Sequence, residues 1–96
     1  MKLLTKETIK KLPKLGEQET KGLNAIAYVK FFTPWSGWTW YATEFDGNDI
    51  FFGLVDGFCK EFGYFSLLEL KSVNGPCGLQ IERDIYFKST KLRDLI

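Results

Sequence analysis

Residues 37–65 read GWTWYATEF-DGND-IFFGLV-DG-FCKEFGYF and decide the fold. Three segments rich in aromatic and β-branched residues, 37–45, 50–55 and 58–65, alternate with two groups of turn-forming residues. Asp46-Gly47-Asn48-Asp49 is a strong turn signal, and Asp56-Gly57 is a preferred two-residue hairpin turn. The stretch therefore predicts three consecutive antiparallel strands.

The flanking sequence adds further strands and short helices. Residues 25–32 predict another strand, followed by a turn at 34–37, and 79–87 indicate a fifth. Thr5 is positioned to cap a helix over 6–12 that Pro13 ends, and Ser66-x-x-Glu69 has the spacing of a capping box for a helix reaching about residue 73. Residues 16–24 read as a loop. We expect one α+β domain over 1–96: an antiparallel meander sheet of four to five strands with short helices near the N-terminus and in the C-terminal half.

Composition excludes several classes of function. The chain has 96 residues, 45% hydrophobic and 26% charged, which is typical of a globular domain. No apolar run is long enough to span a membrane, and charge follows the start too soon for a signal peptide, so we expect a cytoplasmic protein without membrane association. Histidine is absent, which excludes histidine-based catalysis and histidine metal sites. Cys59 and Cys77 are expected to be reduced thiols.

The predicted sheet has too many aromatic side chains for one buried face. Fourteen of the sixteen aromatic residues lie between Tyr28 and Phe65, and the alternation makes both faces largely apolar. Two short helices are expected to close one face well and the other only in part. We therefore predict an exposed protein-binding surface on this sheet, although full burial of the same rings by the terminal segments is an alternative. The candidate binding residues are Trp35, Trp38, Trp40, Tyr41, Glu44 and Asp46.

The charges are unevenly distributed along the chain. The middle is acidic, with Glu44, Asp46, Asp49, Asp56 and Glu61 as potential oxygen ligands of a divalent cation. Their positions are those that turns favour, and the spacing is not that of an EF-hand loop, so we expect no metal and no cofactor.

The N-terminal segment suggests a second kind of partner. Lys6, Lys10, Lys11 and Lys14 form a basic stripe that can contact phosphates, with the nearby aromatics as a stacking platform. The acidic middle opposes this interpretation, and a solvated helix face also explains the lysines. Nucleic acid is thus an alternative partner.

One charged cluster is the candidate for catalysis. Glu82-Arg83-Asp84 follows a Gly-Pro-rich loop, but on a strand Glu82 and Asp84 share one face while Arg83 points away. A surface ion-pair network explains these residues equally well, and we expect no enzyme activity.

Several stretches together resemble a known family of small proteins. They are MKLLTK (1–6), VKFFTP (29–34), WTWYATEFDG (38–47), FFGLV (51–55), residues 61–70, the pairs Gly75-Pro76 and Gly78-Leu79, and IERD (81–84). The family is an uncharacterised domain of unknown function carried by phages, plasmids and integrative conjugative elements. Its members occur alone or within larger polyvalent proteins, which implies an accessory role in element transfer or in blocking a host defence.

The expected function is therefore that of a non-enzymatic protein that binds another protein. An inhibitor of a nuclease-based host defence fits, because an acidic aromatic surface can occupy a basic nucleic-acid channel. The alternative is a nucleic-acid-binding accessory protein in element transfer or replication. The sequence leaves the partner and the oligomeric state open.

Overall fold

A five-stranded antiparallel sheet forms the centre of the fold in the computed structural model, which describes residues 2–96. The elements are, in chain order, helix α1 (Lys6–Lys11), a 3-10 helix (Glu19–Asn24), β1 (Ile26–Ala27), β2 (Val29–Phe32), β3 (Thr39–Phe45), β4 (Ile50–Asp56), β5 (Lys60–Ser66), helix α2 (Leu67–Ser72), a 3-10 turn (Pro76–Gly78), β6 (Glu82–Arg83), β7 (Thr90–Lys91) and a final 3-10 turn (Leu92–Asp94).

The strands form two sheets. The large sheet has the order β5-β4-β3-β2-β6, and β1 pairs with β7 in a second, two-stranded sheet. The predicted α+β class with an antiparallel sheet is confirmed. The single strand predicted over 25–32 is divided between the two sheets, and the predicted fifth strand is only two residues long.

Both helices begin at the predicted caps. The Thr5 hydroxyl accepts a hydrogen bond from the Thr8 amide at 3.2 Å, and the Ser66 hydroxyl accepts one from the Glu69 amide at the same distance. These hydroxyls satisfy amides that have no partner within the first helical turn, which is why short helices start there.

A β-bulge near the end of β3 reverses the faces on which its last side chains lie. The pairing of β3 with β4 shifts between residues 42 and 44, so that Thr43 is the extra residue. Glu44 then lies opposite Phe52, and Phe45 lies opposite Phe51. Strict alternation along β3 would place Glu44 on the face of Phe51 and Phe45 on the face of Phe52, and it is wrong at these two positions because an alternating pattern gives no sign of an inserted residue.

The connection between β4 and β5 is longer than predicted. Asp56 pairs with Lys60, so residues 57–59 form a three-residue loop in place of the two-residue turn expected at Asp56-Gly57. One additional loop residue places every side chain of β5 on the face opposite to the one that a two-residue turn at Asp56-Gly57 would give. The resulting pairs are Phe51–Phe65, Phe52–Tyr64 and Leu54–Phe62.

The two faces of the large sheet differ in cover. The core face carries the buried cluster of Val29, Phe31, Ala42, Phe45, Phe51 and Phe65. It is closed by the N-terminal segment through Leu3, by α2 through Leu67 and Leu70, and by Ile81.

The opposite face, which we call the groove face, is only partly covered. At the β3 end Leu54 packs with Ala25, Ala27 and Leu92 in a second small cluster. Toward β5, Phe62 and Tyr64 are 49% and 70% exposed. The expectation of one closed and one partly open face therefore agrees with the structure, although the open part lies beside β5.

Candidate protein-interaction surface

A cavity of about 420 Å³ lies on the groove face beside β5. We call it the β5 groove. Its apolar lining is Leu23, Ala25, Phe52, Phe62, Tyr64 and Leu92, and its polar lining is Gly16, Gln18, Glu19, Gly22, Thr43 and Glu44. The rings of Phe52 and Tyr64 pack edge to face, with centroids 5.0 Å apart. The register shift at the 57–59 loop is the reason that Phe62 and Tyr64 face this groove.

The wall opposite β5 is the 16–24 segment, which buried hydrogen bonds hold against the sheet. Glu44 is 4% exposed, and its carboxylate accepts the amides of Gly16 at 2.9 Å and of Gln18 at 2.7 Å. The Gln18 side chain donates to the carbonyls of Ile26 and Thr43 and accepts the Ile26 amide. Because every one of these polar atoms is paired within the protein, the wall is a fixed part of the fold.

The charged residues that line the β5 groove are all acidic. Glu19 and Glu44 line it, and none of the lining residues within the described chain is cationic. The Glu44 carboxylate is buried beneath the wall, whereas Glu19 is exposed at the rim. Apolar walls with carboxylates favour a ligand that combines apolar and positively charged groups.

The outer edge of β5 lies along the same groove. In the large sheet β5 is the terminal strand and pairs with β4 alone. Leu67 donates its amide to the Asp49 carbonyl at 2.8 Å, and Gly57 donates to the Cys59 carbonyl at 3.2 Å. Both bonds join residues that continue the β4–β5 register just beyond the two ends of the ladder. Since hydrogen-bonded pairs alternate along an antiparallel ladder, the odd-numbered residues of β5 point their amides and carbonyls at β4.

The even-numbered residues of β5 consequently direct their backbone groups outward. For Phe62 and Tyr64 these N–H and C=O groups project from the free edge, and the side chains of the same two residues face the groove. The free edge of β5 at Phe62 and Tyr64 thus combines outward-facing backbone groups with exposed aromatic rings.

The four predicted aromatic binding residues lie elsewhere and are half-buried. The Trp38 ring covers Gly57 and contacts Phe58 and Trp40, with ring centroids 5.4 and 5.8 Å away. Trp40 packs against the core-face cluster. These rings are only partly exposed, because the turns and loops beside them supply cover, and their role in binding stays a prediction.

The remaining two predicted rings are covered by loops. Trp35 lies on Gly75, where an added Cβ would come within 2.6 Å of the indole. Tyr41 lies beside Phe87 with centroids 5.8 Å apart, and the Lys30 ammonium is 5.9 Å from its ring centre. Burial first, and the negative charges of Asp56 and Asp84 second, raise the pKa of Tyr41.

The two predicted acidic binding residues have internal partners. Glu44 fixes the groove wall, as described above. Asp46 is exposed, and its Oδ1 accepts the amides of Asn48, Asp49 and Ile50 at 2.8 to 3.0 Å. These bonds, that of Asn48 first, lower the pKa of Asp46. Asp46 therefore organises the turn between β3 and β4.

The acidic residues of the middle segment do not converge. Asp49 accepts the Ser66 hydroxyl at 2.6 Å and the Leu68 amide at 2.8 Å, which ties the start of α2 to the turn. Over residues 2–96, no three carboxylate or thiol side chains come together in a way that could hold a metal ion.

Part of the predicted basic stripe and part of the charged cluster meet near β6, at the opposite edge of the large sheet from β5. Lys6 and Lys11 line a cleft of about 380 Å³ together with Arg83 and Asp84, whereas Lys10 and Lys14 are exposed outside it. Arg83 donates to the Lys2 carbonyl at 2.8 Å, and Asp84 forms an ion pair with Lys30 at 3.6 Å. Arg83 pairs with Phe31 on the core face, and Glu82 lies opposite Phe32 on the other face.

Both cysteines are free and exposed. The Cys59 thiol donates to the Glu61 carboxylate at 3.3 Å, and this hydrogen bond together with the negative charge raises the pKa of Cys59. A raised pKa keeps the thiol protonated, which is the opposite of what a cysteine nucleophile requires.

Sequence reasoning missed Phe62, Tyr64 and Leu23 as surface residues. The signal was present in the composition of the last strand, where Phe62-Gly63-Tyr64 adds two rings to a sheet already rich in them. Identifying their face requires the length of the 57–59 loop.

A family model described as a protein of unknown function (DUF2958) matches residues 3–93. No curated protein and no solved structure matches the chain. In the part of the chain that the structure describes, no helix is long and apolar enough to cross a membrane.

Proposed function

The chain belongs to the DUF2958 family of proteins of unknown function, and we propose that it is a non-enzymatic protein that binds a segment of another protein in the β5 groove. The observation that carries the proposal is the pairing of an open apolar groove with exposed aromatic rings at its rim. Phe62, Tyr64 and Leu23 line this groove and are 49%, 70% and 41% exposed. Exposed apolar surfaces with aromatic residues are typical of protein interfaces.

The occupant we propose is an apolar and positively charged segment. Apolar side chains would gain by covering Phe62 and Tyr64, while Glu19 at the rim and Glu61 on β5 attract cationic side chains. An acidic segment would instead meet repulsion from both carboxylates.

The biological role we propose follows from the resemblance to proteins of phages, plasmids and integrative conjugative elements. The protein would act in the cytoplasm as an accessory of a mobile genetic element, and its target would be a protein of the element or of its host. A host nuclease of a defence system is one such target, since nucleases present cationic channels to which an acidic aromatic surface is complementary.

Selection from a displayed library of random dodecapeptides tests the proposed binding surface. Peptides are selected on the wild-type protein and then compared on Tyr64→Lys, which puts a charge at the groove, and on Phe58→Lys. Phe58 is a matched control because it is 97% exposed and lies outside the groove lining. We expect enriched peptides that combine apolar residues with lysine or arginine, bind Phe58→Lys, and lose at least about tenfold in affinity for Tyr64→Lys.

Three outcomes would contradict the proposal. They are the absence of enrichment, enrichment of acidic peptides, and equal binding to Tyr64→Lys when circular dichroism shows that this variant is folded.

A second candidate function is nucleic-acid binding at the cleft that contains Lys6, Lys11 and Arg83. The convergence of three cationic side chains on one cleft favours it, whereas Glu7 and Asp84 in the same lining oppose it. The test is binding of a labelled single-stranded oligonucleotide over a range of salt concentrations. Salt-sensitive binding that Lys6→Glu with Lys11→Glu abolishes, and that Tyr64→Lys leaves intact, would support this function over the first.

A further inference from the structure

We infer that the bound segment adds to the free edge of β5 as an antiparallel β-strand. This inference rests on the proposed function, because it specifies how the same partner is held at the same surface. The strand would extend the large sheet by main-chain hydrogen bonds, and its side chains on one face would enter the β5 groove.

The backbone of β5 is in the correct phase for strand addition. The outward N–H and C=O groups belong to Phe62 and Tyr64, as fixed by the Leu67–Asp49 and Gly57–Cys59 hydrogen bonds. These groups can form two hydrogen-bonded pairs with an added strand. Because β5 is seven residues long and Phe62 and Tyr64 are both exposed, the middle of this edge is accessible.

The same phase determines which side chains of the partner enter the groove. Directly opposite residues of neighbouring strands share a face. The two residues that pair with Phe62 and Tyr64 therefore project onto the groove face, over the apolar lining. At these positions we assign apolar side chains.

The alternate residues of the partner project onto the other face. There they lie beside Glu61, whose carboxylate is exposed, and beside Gly63, which contributes no side chain. A cationic residue next to Glu61 gains an opposite charge, and the absence of a side chain at Gly63 leaves room for a long one. The inferred recognition sequence thus alternates apolar and cationic residues.

The β6 edge of the large sheet is shorter than the β5 edge and offers less backbone for strand addition. Only Glu82 and Arg83 pair there, and the chain then continues along β2 through the hydrogen bond from the Asp84 amide to the Lys30 carbonyl. So short an edge is protected against strand addition. The comparison favours β5 as the edge that accepts a partner.

The experiment uses three synthetic heptapeptides with the sequence KVKVKVK and blocked termini. One is unmodified, one is N-methylated at the valines, and one is N-methylated at the lysines. In the inferred arrangement the valines face the groove and donate their amides to β5, whereas the lysine amides point away. Methylation of the valines should therefore weaken binding at least tenfold, and methylation of the lysines should change it by less than about twofold.

Nuclear magnetic resonance of the labelled protein gives the site-specific result. The unmodified peptide should protect the amides of Phe62 and Tyr64 from hydrogen exchange and leave that of Gly63, already directed at β4, unchanged. On the protein side, Phe62→Pro removes an outward amide together with the ring, and Phe62→Ala removes the ring alone. Phe62→Pro should bind more weakly than Phe62→Ala, while the core signals of Phe51 and Phe65 report that both variants are folded.

Each other result would overturn the inference. Equal binding of all three peptides, with loss on Tyr64→Lys, would mean that the groove holds side chains without strand pairing, and the proposed function would stand. No binding of the unmodified peptide would overturn the inference, because this peptide carries the alternation of apolar and cationic residues that strand addition at β5 requires. A dimer in sedimentation equilibrium that Phe62→Pro dissociates and Phe62→Ala does not would assign the edge to a second copy of the chain.

Discussion

The two faces of the large sheet use the same kinds of residue for different purposes. On the core face the rings of Phe31, Phe45 and Phe65 surround Phe51 at centroid distances of 4.4 to 5.4 Å, and Phe51 is fully buried. On the groove face Phe52 packs against a single ring, that of Tyr64. Segments from both ends of the chain close the first face, whereas the second is covered only near β3. We therefore expect the fold to depend on the core face, while part of the groove face is left open to solvent, as the proposed binding surface requires.

The largest expected effect separates the two faces by stability. Phe51→Ala should lower the free energy of unfolding by about 3–5 kcal/mol, because it opens a cavity among three rings. Phe62→Ala should lower it by about 1 kcal/mol or less, because half of that ring is already in water. Urea denaturation with linear extrapolation measures both changes. Similar losses for the two variants would mean that the groove face is as essential to the fold as the core face.

The second effect concerns the wall of the groove. Glu44→Gln should lower the free energy of unfolding by about 1.5–3 kcal/mol. The substitution puts an NH2 group in place of one of the two carboxylate oxygens that accept the Gly16 and Gln18 amides. Hydrogen exchange of those two amides should accelerate. Glu19→Gln is the control, since Glu19 lines the same groove but is exposed, and it should be close to neutral. Unchanged exchange at Gly16 would show that the wall does not depend on Glu44.

The sequence predicted the elements better than it predicted the faces. The helix starts at Thr5 and Ser66 and the turn at 46–49 were predictable, because each depends on side chains that bond the backbone within four residues. The face of Tyr64 was not predictable. It depends on the 57–59 loop having three residues, and Asp56-Gly57 is equally compatible with two.

The sequence-based candidate residues differ from those of the β5 groove for the same reason. An aromatic binding surface on the sheet was expected, with Trp35, Trp38, Trp40 and Tyr41 as its rings, because exposed aromatic patches usually mark interfaces. Whether Trp38 is covered depends on Gly57, a contact between separate turns that local spacing does not encode. Glu44 was assigned to the surface because the bulge at Thr43 that directs it under the 16–24 segment has no sequence signal.

A third, smaller effect tests the cover over Trp38. Gly57→Ala would place a Cβ 2.3 Å from the Trp38 ring, so the ring must move outward. We expect the free energy of unfolding to fall by about 1 kcal/mol. This is at the low end for an overpacked site, because the ring is only half-buried and can move toward solvent. The shift of the Trp38 indole N–H signal measures the movement.

Gly63→Ala is the matched control on β5. An added Cβ there meets nothing within 4 Å, so this variant should leave the Trp38 signal in place and stability nearly unchanged. If both substitutions were neutral, Trp38 would be mobile enough to join the exposed surface, as the sequence predicted.

The smallest effect tests whether the groove face is covered from water at the Tyr41 end while it is open at the β5 end. Tyr41 lies on this face at the covered end, and burial, followed by the charges of Asp56 and Asp84, raises its pKa above the ordinary value of 10.0. Because the folded protein holds the Tyr41 proton more tightly than the unfolded chain does, the associated stability is fully present below pH 10.0 and is lost as pH rises through the raised pKa.

The difference between the ultraviolet titrations of wild type and Tyr41→Phe isolates the titration of Tyr41. Asp84→Asn should lower the pKa of Tyr41 toward 10.0 without restoring it fully, because burial is the larger cause. A Tyr41 component that titrates at 10.0 or below would mean that water reaches this end of the face as well, and the covered and open ends would no longer be distinct.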